Sequence, residues 1–88
     1  MYDLTEQELL HLSSETLFDM VLLEIQVKED TMKPIMVLAN LLKVSEQYLY
    51  NVRNRKAKLG FDEWLRIAKI HPLVDNYWRV QMRAGRTK

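Results

Sequence analysis

The chain has no cysteine, only two glycines and two prolines, and no apolar run long enough to cross a membrane. Without cysteine there are no disulfides and no thiolate metal sites, which suits a reducing cytosol. So few glycines and prolines leave too few turn residues for an all-β fold and point to helices. A membrane span needs about 18 or more consecutive apolar residues, and none is found. The opening Met1-Tyr2-Asp3-Leu4-Thr5 is acidic where a secretory leader is basic, so neither leader nor anchor is expected. Catalytic signatures are missing too. There is no Gly-rich phosphate loop, nucleophile elbow or paired-histidine zinc motif. His11 and His71 are far apart, with no carboxylate at metal-ligand spacing, and His71 before Pro72 reads as a helix cap. No enzyme, cofactor, metal or small-molecule substrate is expected.

What remains is 88 residues, 48% of them apolar and 28% charged, enough for one small globular domain. The net charge of +1 conceals a division. Residues 1–31 hold eight acids against Lys28 alone, a balance of −7, while residues 32–88 hold twelve Lys and Arg against four acids, a balance of +8. Such segregation favours a polyanionic partner for the second part and keeps the first part away from it. The other reading is that the two halves neutralise one another, for instance within a dimer.

Helical signals run the length of the chain. Thr5-Glu6-Gln7-Glu8 is a capping box that starts a short helix through Leu12. Ser13 or Ser14 caps the next, from Glu15 to about Lys28. That helix carries Phe18, Val21, Leu22 and Ile25 on one stripe and Met20, Leu23 and Val27 on another, more apolar surface than a peripheral helix needs. Thr31 or Lys33 caps a third helix, with Pro34 tolerated in its first turn. Ile35, Leu38, Ala39 and Leu42 then fall at i, i+3, i+4 and i+7. The pattern breaks at Lys43-Val44, and Ser45 is the N-cap of a short fourth helix. In it Leu49 and Val52 turn inward with Val44, while Glu46, Gln47, Tyr50, Asn51 and Asn54 turn away. Two short helices joined by a tight turn, the second with a polar outer face, make a helix-turn-helix. A helix from Phe61 to Ile70 follows, with Phe61, Trp64, Leu65 and Ala68 on one face. A last helix spans 72 to about 83, with Leu73, Tyr77 and Val80 on one side and Val74 and Trp78 on another.

This motif resembles the helix-turn-helix of the phage repressor and Cro family. Leu38-Ala39, Leu42, Val44, Leu49 and Val52 occupy that family's apolar positions, and Ala39 is the small residue its helix crossing requires. Phe61-Asp62-Glu63-Trp64-Leu65-Arg66-Ile67-Ala68 resembles the family's following helix, so the resemblance covers roughly residues 14–71. Two positions depart from the pattern: Lys43 and Arg55 stand where the family often has glycine. The resemblance implies a compact all-α domain of five or six helices, lambda-repressor-like. The ends, which it does not reach, read from their own residues as an acidic N-terminal extension or short helix over 1–13 and a frayed basic tail over 85–88, with the domain over 14–84.

It also implies sequence-specific binding of double-stranded DNA by a homodimeric transcriptional regulator in a bacterial or phage-infected cytoplasm. The family's base-reading positions fall on Glu46, Gln47 and Asn51, and Tyr50 beside them is placed to reach a thymine methyl or a phosphate. Gln and Asn bond bidentately to adenine, and Glu accepts from cytosine. Outside such a motif the same residues would be a solvated helix face. Phosphate contacts are expected from Lys33, Lys43, Ser45, Arg53, Asn54, Arg55, Lys56 and Lys58, which would confer salt dependence without sequence preference. Subunit contacts are expected from Met20, Leu23 and Val27 or from Tyr77, Trp78 and Met82. The competing class is a protein-interaction module on the same fold (an antitoxin, anti-repressor or host-factor inhibitor), kept open by the acidic N-terminal third.

Overall fold

A computed structural model describes residues 4–86 and is helical throughout, without strands among the described residues. The six helices are α1 (Glu6–His11), α2 (Ser14–Lys28), α3 (Pro34–Leu42), α4 (Glu46–Arg53), α5 (Phe61–Ala68) and α6 (Pro72–Arg86). Gly85 and Arg86, expected in a frayed tail, continue α6 instead, and residues 87 and 88, like 1–3, lie outside the described residues.

Each start follows local chemistry. The Thr5 hydroxyl accepts from the Glu8 amide at 3.2 Å while the Glu8 carboxylate accepts from the Thr5 amide at 2.9 Å. Those two bonds also hold the Glu8 carboxyl below its usual range, the backbone bond more than the side-chain one. Ser13, rather than Ser14, caps α2, accepting from Thr16 at 3.1 Å. Pro34 stands in the first turn of α3, where a missing N–H costs nothing.

Leu17, Phe18, Val21, Leu22 and Ile25 of α2, which packs on α3 and α4, share one buried core with Leu38 and Leu42 of α3, Leu49 and Val52 of α4, and Val74 and Tyr77 of α6. The short α1 packs on α6 through Leu9, and Gln81 of α6 donates to the α1 carbonyls of Leu9 and Leu10 at 3.1 and 3.0 Å. Arg83 pairs with Glu6 at 3.1 Å across the same contact. A six-residue helix is too short to be stable alone, so this docking is what keeps α1 ordered.

The helix ends are less conventional. Asp30, Lys43 and Arg55 have φ of 49°, 60° and 67°, all in the left-handed region, and none is glycine. After each, the next amide bonds back five residues: Thr31 to Gln26 at 3.1 Å, Val44 to Ala39 at 3.1 Å and Lys56 to Asn51 at 2.8 Å. This is the bond that closes a Schellman turn, which usually recruits glycine because a Cβ is crowded there. Lys43 and Arg55 thus keep the tight turn and accept the strain.

The apolar face of α5 differs from the expected one. Trp64 and Ile67 are buried, whereas Phe61 and Leu65 are exposed, and the helix ends at Ala68 rather than Ile70. Phe61 still serves packing, since its ring meets Trp78 edge-on at 6.2 Å; Trp78 in turn stacks beside Trp64 and Tyr77.

Candidate nucleic-acid interface

α3 and α4 are joined by the three residues Lys43, Val44 and Ser45, and the second helix is fixed at both ends. At its start the Ser45 hydroxyl accepts from the Tyr48 amide at 3.1 Å, leaving its own hydrogen free to donate outward. At its end the left-handed Arg55 reverses the chain. The carbonyl of Asn51 then takes the amides of both Lys56 and Ala57, at 2.8 and 3.2 Å. Inward, Leu49 and Val52 are buried; outward, Glu46, Gln47 and Tyr50 are exposed and Asn51 is half-buried.

The outward groups are not independent. Gln47 donates through Nε2 to Asn51 Oδ1 at 3.2 Å, one helical turn along. That bond uses one amide hydrogen and leaves Gln47 a carbonyl acceptor and a second N–H, the donor and acceptor pair that matches adenine N7 and N6. The Arg53 guanidinium lies over the Tyr50 ring, 5.1 Å from its centroid, covering one face of that ring.

The basic residues divide. Arg53, Asn54, Lys56 and Lys58 are exposed around the end of α4, and Lys43 is exposed at the turn. Lys33 is exposed at the N-cap of α3, its amide spent on the Thr31 hydroxyl at 3.0 Å. Arg55 behaves differently. Its guanidinium folds back, donating to the Arg53 carbonyl at 3.1 Å and to Asp19 of α2 at 3.4 Å.

Three residues support α4 and its turn through partners ten or more residues away. The Tyr48 hydroxyl donates to the Lys58 carbonyl at 2.8 Å and lies 3.1 Å from a Glu63 oxygen, which also accepts the Gly60 amide at 2.7 Å. Burial, then the bond to Glu63 and its negative charge, push the Tyr48 phenol above its ordinary value. These bonds pin the basic loop to the start of α5. Arg66 of α5 donates to the Leu42 carbonyl at 2.9 Å, satisfying the C-terminus of α3 beside the turn. Arginine was readable as a generic cation there; its carbonyl partner, 24 residues away, was not.

The acidic third of the chain is largely answered from within. Glu6 pairs with Arg83, Asp19 with Arg55, and Glu24 with His71, while Glu8 is held in the capping box. The Glu24–His71 contact is 3.1 Å long with both side chains buried, 8% and 5% exposed, and it ties α2 to the start of α6.

Of the residues expected at a subunit interface, Leu23 is 49% and Val27 75% exposed, Met82 is exposed and Met20 half-buried. Tyr77 does not fit that expectation. It is only 6% exposed, on the inner face of α6, so it offers almost no surface to a second chain. Trp78 is half-buried against Phe61, Trp64 and Tyr77, which likewise makes it chiefly an internal packing residue. Among the described residues no cluster of three or more His, Asp or Glu is placed to hold a metal ion, and no helix is long and apolar enough to cross a membrane.

No protein-family model, curated protein or solved structure matches this chain. What the residues define without such help is a small all-α domain with a short, doubly capped helix displaying polar side chains beside a cluster of cations.

Proposed function

We propose that this protein is a sequence-specific, double-stranded DNA-binding regulator of the phage repressor and Cro type, with α4 as its recognition helix. The observation that carries the reading is the make-up of α4 and its surroundings. Glu46, Gln47 and Tyr50, with the half-buried Asn51, face outward from a helix fixed at both ends, and exposed Arg53, Lys56 and Lys58 follow it directly. A helix that enters the major groove needs base-reading groups on its first turns and phosphate-neutralising groups at its margins. In this reading Gln47, held by Asn51, reads an adenine, Glu46 and Tyr50 read neighbouring positions, and Lys43, Ser45 and the cations after α4 take phosphates.

A homodimer would present two copies of α4 about 34–36 Å apart to a palindromic site. The α2 surface exposes Leu23 and Val27 for such a contact, and of the residues expected from α6 only Met82 is exposed, since Tyr77 is buried and Trp78 half-buried. That same exposed α2 surface is what favours a second reading, a module that binds another protein. The acidic residues favour it less, because several of them are paired within the chain.

The test is selection of bound duplexes from a random library: enrichment of a common motif supports the DNA reading, and a folded protein that enriches nothing moves the function to a protein partner.

A further inference from the structure

Arg55 stands one residue beyond the helix cap, in the middle of the densest basic run in the chain. By position it belongs with the cations that would meet the DNA backbone, yet three features of the structure withdraw it. Its φ of 67° turns the backbone off the line of α4, so its side chain does not continue the helix's outward row. One guanidinium nitrogen donates to the Arg53 carbonyl at 3.1 Å, capping the C-terminal end of the helix, where a cation is favoured by the helix dipole. The other reaches Asp19 at 3.4 Å, and both side chains of that pair are 48% exposed. Asp19 lies on α2, in the half of the chain that carries the acidic surplus.

We infer that Asp19 is a positioning residue for the recognition helix: it draws Arg55 across the end of α4 and neutralises it, so that Arg55 anchors the helix instead of a phosphate. This rests on the DNA reading and adds to it a division of labour. Arg53, Lys56 and Lys58 meet phosphates, and the Arg55–Asp19 pair, with no net charge, sets the angle at which α4 is held against α2. A neutral pair brought beside DNA displaces no counterion, whereas each cation that meets a phosphate does.

Counterion release gives a readout that a purely structural role would not move. Binding to a short mixed-sequence duplex is titrated between about 50 and 200 mM salt, where each phosphate contact contributes about 0.9 to the slope of log K against log salt. Arg53→Gln is expected to make the slope shallower by about 0.9. Arg55→Gln is expected to leave the slope as in the wild type, with affinity lower by about 2–5-fold at every salt concentration, the scale of one exposed ion pair. Asp19→Asn, nearly the same shape without the charge, frees Arg55 and steepens the slope by about 0.9. The double variant Asp19→Asn/Arg55→Gln returns it to the wild-type value.

A shallower slope for Arg55→Gln alone would overturn the proposal, because Arg55 would then be meeting a phosphate in the wild type. An unchanged slope for Asp19→Asn would also overturn it, because Asp19 would not be what withholds the cation. A folded wild type that binds no duplex even at the lowest salt would instead remove the DNA reading, and this proposal with it.

Discussion

Lys43→Gly should make the protein more stable. Lys43 sits between α3 and α4 with φ 60° and ψ 42°, and the Val44 amide behind it bonds to the Ala39 carbonyl at 3.1 Å. That turn fixes how α4 leaves α3, so the residue cannot relax to negative φ without breaking the bond. A non-glycine residue held there costs about 1–2 kcal/mol through the clash of its Cβ with the following carbonyl. Glycine removes the clash but loses more freedom on folding, which returns about 0.4–1 kcal/mol to the unfolded state. The difference lies between about 0 and 1.6 kcal/mol, and at its middle, about 0.8 kcal/mol, it raises the melting temperature of a domain of this size by about 3–6 °C. Thermal unfolding followed by circular dichroism, checked by urea titration, reads it directly. Lys43→Ala is the control: it removes the charge and the long side chain but keeps the Cβ, so it should bring no such gain. A fall in melting temperature for Lys43→Gly, or an equal rise for Lys43→Ala, would refute the reasoning. Asp30→Gly should gain less than Lys43→Gly, because Asp enters the left-handed region more readily than Lys.

His71→Ala should destabilise the fold by about 1–3 kcal/mol, because it leaves the buried carboxyl group of Glu24 without its hydrogen-bond partner; urea titration measures it, and a loss below about 0.5 kcal/mol would mean that water reaches Glu24. Alkaline pH should destabilise the fold. Burial, with nearby acids, raises the phenols of Tyr48 and Tyr77 above the ordinary 10.0. The folded state therefore keeps protons that the unfolded chain releases. Their contribution is complete below pH 10 and is lost as pH rises through the folded-state values. Tyr48→Phe should shrink the decline in melting temperature above pH 10, and an identical decline in wild type and variant would contradict it.

The parts of this structure that could be read from sequence are those set within one turn of helix. Thr5 with Glu8, Pro34 in a first turn and Ser45 before α4 each act on neighbours three or four residues away, and each lies where its pattern implies. Periodicity placed α3 and α4 for the same reason. It misjudged α5 because Phe61 and Leu65 compete with Trp64 and Ile67 for the inner face, and the choice belongs to α6, whose Trp78 meets Phe61 at the rim. It misjudged Tyr77 because, on a helix with two apolar sides, an aromatic looks the same whether its cover is another helix or another chain. The bonds that hold the candidate interface are longer in reach: Tyr48 to Lys58 and Glu63, Arg66 to Leu42, and Arg55 to Asp19, 36 residues apart. No local pattern encodes those, and Arg55 shows the consequence, since its place in a basic run implied a phosphate contact while its fold-back bonds point elsewhere.

The most direct test of the account is selection of duplexes from a random library by the wild-type protein and, in parallel, by Gln47→Ala/Asn51→Ala. Both residues lie on the outer side of α4 and are bonded to each other, so the double change should leave the fold intact. A palindromic motif is expected for the wild type and, for the variant, loss of preference at the positions read as adenine. The same motif recovered with equal strength from both proteins would contradict α4 as the reading element.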